Sequence, residues 1–509
     1  MNEPVHVAIA LLQLGALARD QADYVTAKKH LQQSYEIAVA EGDERHQAFC
    51  LHLLGIVEAE AGDVSQAHGF LERSLVLRRA HADLVGEAVT LHQLSVVSFK
   101  QGNLDRARRY AEQSLAVAEK LEASVTEQSL RQQALRQRAM SLHQLGLILE
   151  RQGNHAVAMQ ALEEGLGLRR QAGDWKGLAT SLLEIGDVLD HRKPEAHEYL
   201  EQGREVSHLL GDQKQLGYVY HKLGDLCRRR GDHRRAKTYL LESLHLRRAI
   251  GDRQGEMVTL HALGVTARDS DDYQEARKHL FECLTVAKQI GDLAQQAQTL
   301  NTLATIARRL GEFNSALDLL KESLVLRRDR GDRKGEALDL REIAQVLKRL
   351  DQHDAALSQL QEALNLCRAT GERKDEAITL HQIGTLLAEL SRYEPAMDAL
   401  RQSLALAEGM NDIRQSMMCY HRMGVAAAQH GDLAAAKAYL DMSLERATRL
   451  HNDRQRMYTL HQLGQVSQQS GDQHQACQCY QESLAIARRL NNRKQIKLCQ
   501  AALRSLNVA

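Results

Sequence analysis

The chain has 509 residues, and its 66 basic and 66 acidic side chains give a formal net charge of zero. No overall field draws it to nucleic acid or to an anionic membrane. Aromatic residues make up only 4% and prolines number three, a composition that favours helices and argues against an all-β fold.

Read from the start, the apolar run Val5 to Leu17 has a faint likeness to a signal segment. It lacks a basic flank and shares the register of the later repeats, so it reads as a first helix. No stretch is long enough to span a membrane. One pattern recurs twelve times along the chain, marked by a small residue after a large aliphatic one, most often the pair Leu-Gly. The markers are Gly15, Gly55, Ser95, Gly146, Gly186, Gly224, Gly264, Ala304, Ala344, Gly384, Gly424 and Gly464. All but two of the spacings are forty residues; Ser95 to Gly146 is fifty-one and Gly186 to Gly224 is thirty-eight. A period of this size means a stacked helical array. The boundaries read as repeats 1–3 over 4–123, repeat 4 over 124–174, a short repeat 5 over 175–212, repeats 6–12 over 213–492 and a capping helix over 493–509.

Residues 253–292 show the unit. Asp252 suits an N-cap and Glu256 the first helical turn. Leu260, Leu263 and Gly264 follow at helical spacing, and the helix stops near Asp269 to Asp272. Most other repeats stop on a pair such as Gly62-Asp63 or Gly431-Asp432, glycine ending one helix and the acid starting the next. The second helix carries Ala276, Leu280 and Leu284. Glycine on one helix and alanine on the other predict close backbone approach, with leucines filling the remaining space.

The signature Leu260, Leu263, Gly264, Tyr273, Ala276 and Leu280 resembles the tetratricopeptide repeat family, over essentially the whole chain. The forty-residue length is similar to LGN/Pins-type scaffolds, and more so to the arrays attached to bacterial STAND signalling ATPases. The resemblance implies an all-α solenoid wound as a right-handed superhelix. Its groove, lined by first helices, would hold a peptide or protein segment, with no enzymatic activity and no cofactor.

Three departures stand out. The eleven extra residues before Gly146 equal about three helical turns, so the apolar face returns to register. With Ser124 as the cap of a capping box, residues 125–151 read as one long helix. Repeat 5 has Pro194 in its turn and Gly165, Gly167, Gly177 and Gly203 nearby, which makes it the expected weak point or hinge. Arg493, Lys494 and Lys497 suit a last helix facing water.

Two series could carry function. A histidine precedes the marker by three residues in eight repeats: His52, His92, His143, His221, His261, His381, His421 and His461. Helices about 8–10 Å apart make this a ladder and not a metal cluster, since zinc needs its ligands about 2 Å from one point. The ladder is either structural, each ring bonding to a neighbouring repeat, or a subset touches ligand. The second series is basic: Arg228, Arg229, Arg268, Arg308, Arg309, Lys348 and Arg349 end the first helices of repeats 6–9. Such cations complement the helix dipole, and they could also form a patch for an acidic partner. No Gly-Lys-Ser/Thr phosphate loop, zinc-protease helix or nucleophile pair rises above the repeats. The eight scattered cysteines form no Cys-x-x-Cys pair and suit a cytoplasmic protein with reduced thiols.

The leading reading is a cytoplasmic scaffold or sensor that binds protein or peptide. A self-assembling solenoid is the alternative. Zero net charge and few aromatics count against a nucleic-acid binder. A regulator of the peptide-regulated phosphatase type would carry a further N-terminal helical domain, and the chain starts in repeat 1.

Overall fold

The computed structural model describes residues 3–21, 23–189 and 194–506. Among them are twenty-five helices and no strand, and within each compact unit consecutive helices pack as antiparallel pairs. Two compact units divide the chain, Met1–Ser270 and Asp271–Ala509. The first unit begins with α1 (Glu3–Asp20), α2 (Tyr24–Ala40), α3 (Glu44–Ala61), α4 (Val64–Ala80), α5 (Leu84–Lys100) and α6 (Leu104–Ser124). It continues through α7 (Gln128–Arg151), α8 (His155–Gln171), α9 (Trp175–Val188), α10 (Pro194–Leu209), α11 (Gln213–Arg229), α12 (His233–Ala249) and α13 (Arg253–Asp269). The second unit begins with α14 (Tyr273–Ile290), α15 (Leu293–Arg309), α16 (Phe313–Asp329), α17 (Arg333–Arg349), α18 (His353–Thr370) and α19 (Arg373–Glu389). It ends with α20 (Tyr393–Gly409), α21 (Ile413–His430), α22 (Leu433–Arg449), α23 (Asp453–Gln469), α24 (Gln473–Arg489) and α25 (Arg493–Ser505). No helix among the described residues is long and apolar enough to cross a membrane.

Odd-numbered helices are the first helices of the repeats and even-numbered ones the second. Most first helices start at a side chain that caps them: Asp43 accepts from the His46 amide at 2.9 Å, and Asp412 from the Gln415 amide at 2.9 Å. The turns need a left-handed residue, supplied by glycine at Gly62 (φ 100°) and Gly431 (φ 93°). Repeat 7 uses Asp271 instead, at φ 61°.

Each hairpin is set by one close approach. A Cβ on Gly224 would fall 2.6 Å from Leu240 Cγ and 3.2 Å from the Ala236 carbonyl oxygen. Gly55 meets Leu71 and Ala67 in the same way. The second-helix alanines, among them Ala67, Ala236 and Ala436, are fully buried. Where Ser95 takes the glycine position, its hydroxyl donates to the Ala107 carbonyl at 2.8 Å and so belongs at that contact. Each first helix also packs on the second helix of the repeat before it within its unit, which closes the core between hairpins.

The insertion differs from the sequence expectation. Ser124 does not cap a helix starting at 125. It ends α6, where its hydroxyl donates to the Leu121 carbonyl at 2.9 Å. Residues 125–127 turn the chain and α7 begins at Gln128. The extra length is shared, α6 having 21 residues and α7 24, against the usual 17. The cause is burial. An extended α7 alone would leave its apolar flank bare, whereas with both antiparallel helices lengthened Leu121 and Ala134 are buried, and Leu115 and Leu135 pack on one apolar cluster with Ala139 and Leu142. Arg138 of α7 reaches Glu122 of α6 at 3.2 Å and Glu164 of α8 at 2.6 Å, tying the lengthened helix to both neighbours.

Repeat 5 is short, with α9 at 14 residues and α10 at 16. Pro194 opens α10, where its missing N–H leaves no helical bond unmade; the turn residues 190–193 fall outside the described residues. Gly203 is a contact residue, since a Cβ there would lie 2.9 Å from Leu183 Cδ2. Arg493, Lys494 and Lys497 are exposed on α25.

The close approach gives a graded prediction. Alanine stands natively at 304 and 344 and serine at 95, so residues of that size are the largest found at this position. Gly224→Ala should cost about 1 kcal/mol and Gly224→Val about 3 kcal/mol or more, the range of overpacked cores. Urea midpoints at constant slope measure both; equal midpoints for all three proteins would show that the hairpin spacing is not set there.

Candidate functional site

The first helices bury a polar stripe. On the second helix a serine recurs before leucine, and its hydroxyl reaches back to a carbonyl of its own repeat's first helix. Ser243 donates to the Gly217 carbonyl at 2.6 Å, Ser403 to Ala377 at 2.6 Å and Ser443 to Met417 at 3.0 Å. The same hydroxyl meets a threonine or cysteine on the next first helix: Ser243 and Thr259 at 3.3 Å, Ser403 and Cys419 at 3.1 Å. That residue in turn meets the ladder histidine of the repeat before. His52 Nδ1 lies 3.2 Å from the Thr90 hydroxyl, His221 Nδ1 3.4 Å from Thr259 and His421 Nδ1 3.1 Å from Thr459. Cysteines take the place twice, with Cys419 Sγ 3.8 Å from His381 Nδ1 and Cys499 Sγ 3.6 Å from His461 Nδ1. The ladder is therefore built into the contacts between repeats.

The insertion interrupts one rung. Ser141 stands at the threonine position but pairs with Ser114 at 2.7 Å, and His92 Nδ1 is buried with no hydrogen-bond partner among the described residues. His143 turns instead to Glu184, with Nε2 2.5 Å from the carboxylate. At repeats 8 and 9 the stripe changes chemistry. Asn301 replaces histidine and donates to buried Asp339 at 2.7 Å; Ser323 donates to the same carboxylate at 2.5 Å, and Arg327 pairs with it at 3.0 Å. Arg341, at the next ladder position, pairs with Asp375 at 2.9 Å. Among the described residues no group of three or more His, Cys, Asp or Glu could hold a metal. Seven of the eight cysteines are buried free thiols and Cys477 is half-buried.

The basic series is not an open patch. In the first unit Arg228 pairs with Asp225 at 2.7 Å and Asp269 at 3.3 Å, Arg229 with Asp225 at 2.7 Å, and Arg268 with Asp269 at 2.8 Å. In the second, Arg308 pairs with Glu342 at 3.3 Å, Arg309 with Asp271 at 3.6 Å and Lys348 with Glu389 at 2.6 Å. Arg349 is exposed. Six of the seven charges have an acid partner within the chain. Two kinds of acid do this: one on the same helix, as Asp225 for Arg229 and Asp269 for Arg268, and one that the repeat register brings from a neighbouring first helix or turn, as Glu342 for Arg308, Asp271 for Arg309 and Glu389 for Lys348.

A groove does open along the first helices of the second unit. A cavity of about 620 Å³ is lined from α19, α21, α23 and α25 by His381, His421 and His461, by Gln455, Gln462, Gln465 and Gln495, and by Met418, Arg422, Tyr458 and Leu498. A second cavity, about 230 Å³, shares His381 and Arg422 and extends to Gln345 and Lys348 of α17. Three ladder histidines thus turn one edge to the groove and the other to the next repeat.

Three features escaped the sequence reading. The serine before leucine was present in the repeat pattern but is unremarkable on a helix until its partner carbonyl is known. A run of Arg-Arg, then Asp, then Gly three residues later also recurs. Its first arginine is buried over the next first helix: Arg78 pairs with Asp83 at 2.8 Å and Arg169 with Asp174 at 2.7 Å. A Cβ on Gly86 or Gly177 would strike those guanidiniums. Arg422 carried no signal beyond its type.

Burial dominates the ladder's acid–base chemistry. It pushes His52 and His421 down to about 3 and His92, His221, His261 and His381 to about 4, helped by arginines such as Arg78 for His52 and Arg422 for His421. His461 is lowered by burial alone. The folded state thus keeps neutral rings, whereas the unfolded chain protonates near 6.5. Their stabilisation is complete above about pH 6.5 and is lost as pH falls toward the folded values, at up to about 1.4 kcal/mol per histidine per unit. Melting temperature should drop steeply between pH 6.5 and 4, ahead of carboxylate protonation, and His381→Gln with His421→Gln should flatten the drop. A flat profile in the parent protein would refute buried neutral rings.

The tetratricopeptide repeat family model matches residues 6–80, 215–289, 255–329, 336–409 and 416–489, and a second model of that description matches 88–122 and 138–172. No curated protein matches. Among solved structures, the apo form of RapI is similar with a TM-score of 0.52 at 12% identity, over 72% of this chain and 98% of that one. The Signal Transduction ATPase with Numerous Domains (STAND) protein with a tetratricopeptide repeat sensor from Pyrococcus horikoshii is similar at 0.51 and 10% identity, over 99% and 90%. With the repeats matched over most of its length, the chain belongs to the tetratricopeptide repeat family.

Proposed function

We propose that the chain is a non-enzymatic binding scaffold that holds an extended peptide segment in the groove of its second unit. The observation that carries this reading is the cavity of about 620 Å³ running across four successive first helices. Its size is that of a ligand site. Gln462 and Gln465 each offer donors and an acceptor, the set needed to pair with the N–H and C=O groups of a peptide backbone, while Gln455 and Gln495 already donate to Thr459 and Cys499. Tyr458, Met418 and Leu498 add apolar surface between them. The similar STAND protein carries its tetratricopeptide repeats as a sensor, which supports the same use here.

Four helices about 8–10 Å apart span roughly 25–30 Å, enough for about eight extended residues at about 3.3 Å each. A random nonapeptide display library panned on the full chain is the matching test. Selected peptides should lose at least about tenfold in affinity on Gln465→Trp, which fills the cavity from an exposed position, with melting temperature unchanged. Failure to select any peptide, or selected peptides indifferent to Gln465→Trp, would refute the groove as the binding site.

A further inference from the structure

We infer that Arg422 is the specificity determinant of this groove and that it takes an acidic side chain of the bound segment; the inference rests on the groove reading above. Arg422 is exposed, lines both cavities, and has no carboxylate partner among the described residues. No Asp or Glu lines either cavity. The other cation there, Lys348, is already neutralised by Glu389.

The repeat register shows what is missing. Lys222 occupies the position in repeat 6 that Arg422 occupies in repeat 11, and it pairs at 2.7 Å with Asp187, one residue past the preceding marker. The residue one past Gly384 is Thr385. The acid that answers the cation in one repeat is thus absent in the other. Two further groups are left unanswered beside it. Thr385 Oγ1 and Gln382 Oε1, which line the smaller cavity, are buried with no hydrogen-bond partner.

The geometry selects a side chain over a chain terminus. Arg422 stands where the two cavities meet, so a segment lying in the groove continues past it on both sides. A guanidinium takes a carboxylate through two parallel hydrogen bonds, a geometry lysine cannot reproduce. A single open cation among glutamines suits a peptide better than a nucleic acid, whose affinity comes from several phosphate contacts.

Nonapeptides selected on the full chain should be enriched in Asp or Glu at one position. The decisive measurement is a double-mutant cycle between Arg422→Gln and the Glu→Gln or Asp→Asn form of a selected peptide. Each single change should weaken binding about tenfold or more, and the two together little further. Arg422→Lys should recover part of the loss, and the affinity of the parent pair should fall with salt. Selected peptides without acidic enrichment, or a cycle in which the two losses simply add, would overturn the inference and leave the groove reading standing. If no peptide is selected, or if a single-stranded decanucleotide binds more tightly than any selected peptide, both readings fall.

Discussion

Everything in this chain depends on how closely the two helices of a hairpin approach. At Gly224 and Gly55 the second-helix leucine sits where a side chain would otherwise be, and the alanine carbonyl lies just behind it. That contact has almost no slack, because protein interiors are packed at crystal-like density. It therefore fixes the rotation and register of each second helix against its first. Once that is fixed, the serine one turn beyond the leucine can reach a carbonyl of the first helix, as Ser243 reaches Gly217 and Ser403 reaches Ala377.

The polar stripe is a consequence of that register. A hairpin alone would leave Ser, Thr, Cys and His facing water; stacking buries them, and each must then find a partner from the adjacent repeat. The chain serine–threonine–histidine, repeated with cysteine at Cys419 and Cys499, satisfies the buried groups in neutral form. Where one repeat substitutes a charge, its neighbours adjust: Asp339 is answered by Asn301, Ser323 and Arg327 together. Burial still raises the Asp339 carboxyl above its ordinary range despite those partners. The same logic of neighbour compensation neutralises Lys222, Arg308 and Lys348, and it makes the unanswered Arg422 conspicuous.

The helical array, its hairpins and its family were legible in the sequence because they rest on local periodicity. A glycine every forty residues, an alanine about twelve later and an acid at each helix start are readable without any knowledge of distant contacts. The identity of the ladder histidines was legible for the same reason. The long insertion was half legible: α7 is one helix to Arg151, but the sequence pattern could not say that α6 would lengthen with it. That division depends on two antiparallel helices covering each other, which is a property of the pair.

Site chemistry divides along the same line. The sequence by itself determined the element types, the repeat register and the residues that could bear charge, since all of these are set within one hairpin. Only the tertiary structure decided which charges remain open. Arg308 and Lys348 look like partner-binding cations in the chain and are balanced by Glu342 and Glu389 of the next repeat, whereas Arg422 looks ordinary and is unanswered. The physical reason is that a charge is neutralised by whatever stacking brings within a few ångströms, and the sequence holds no sign of that neighbour until adjacent repeats are packed.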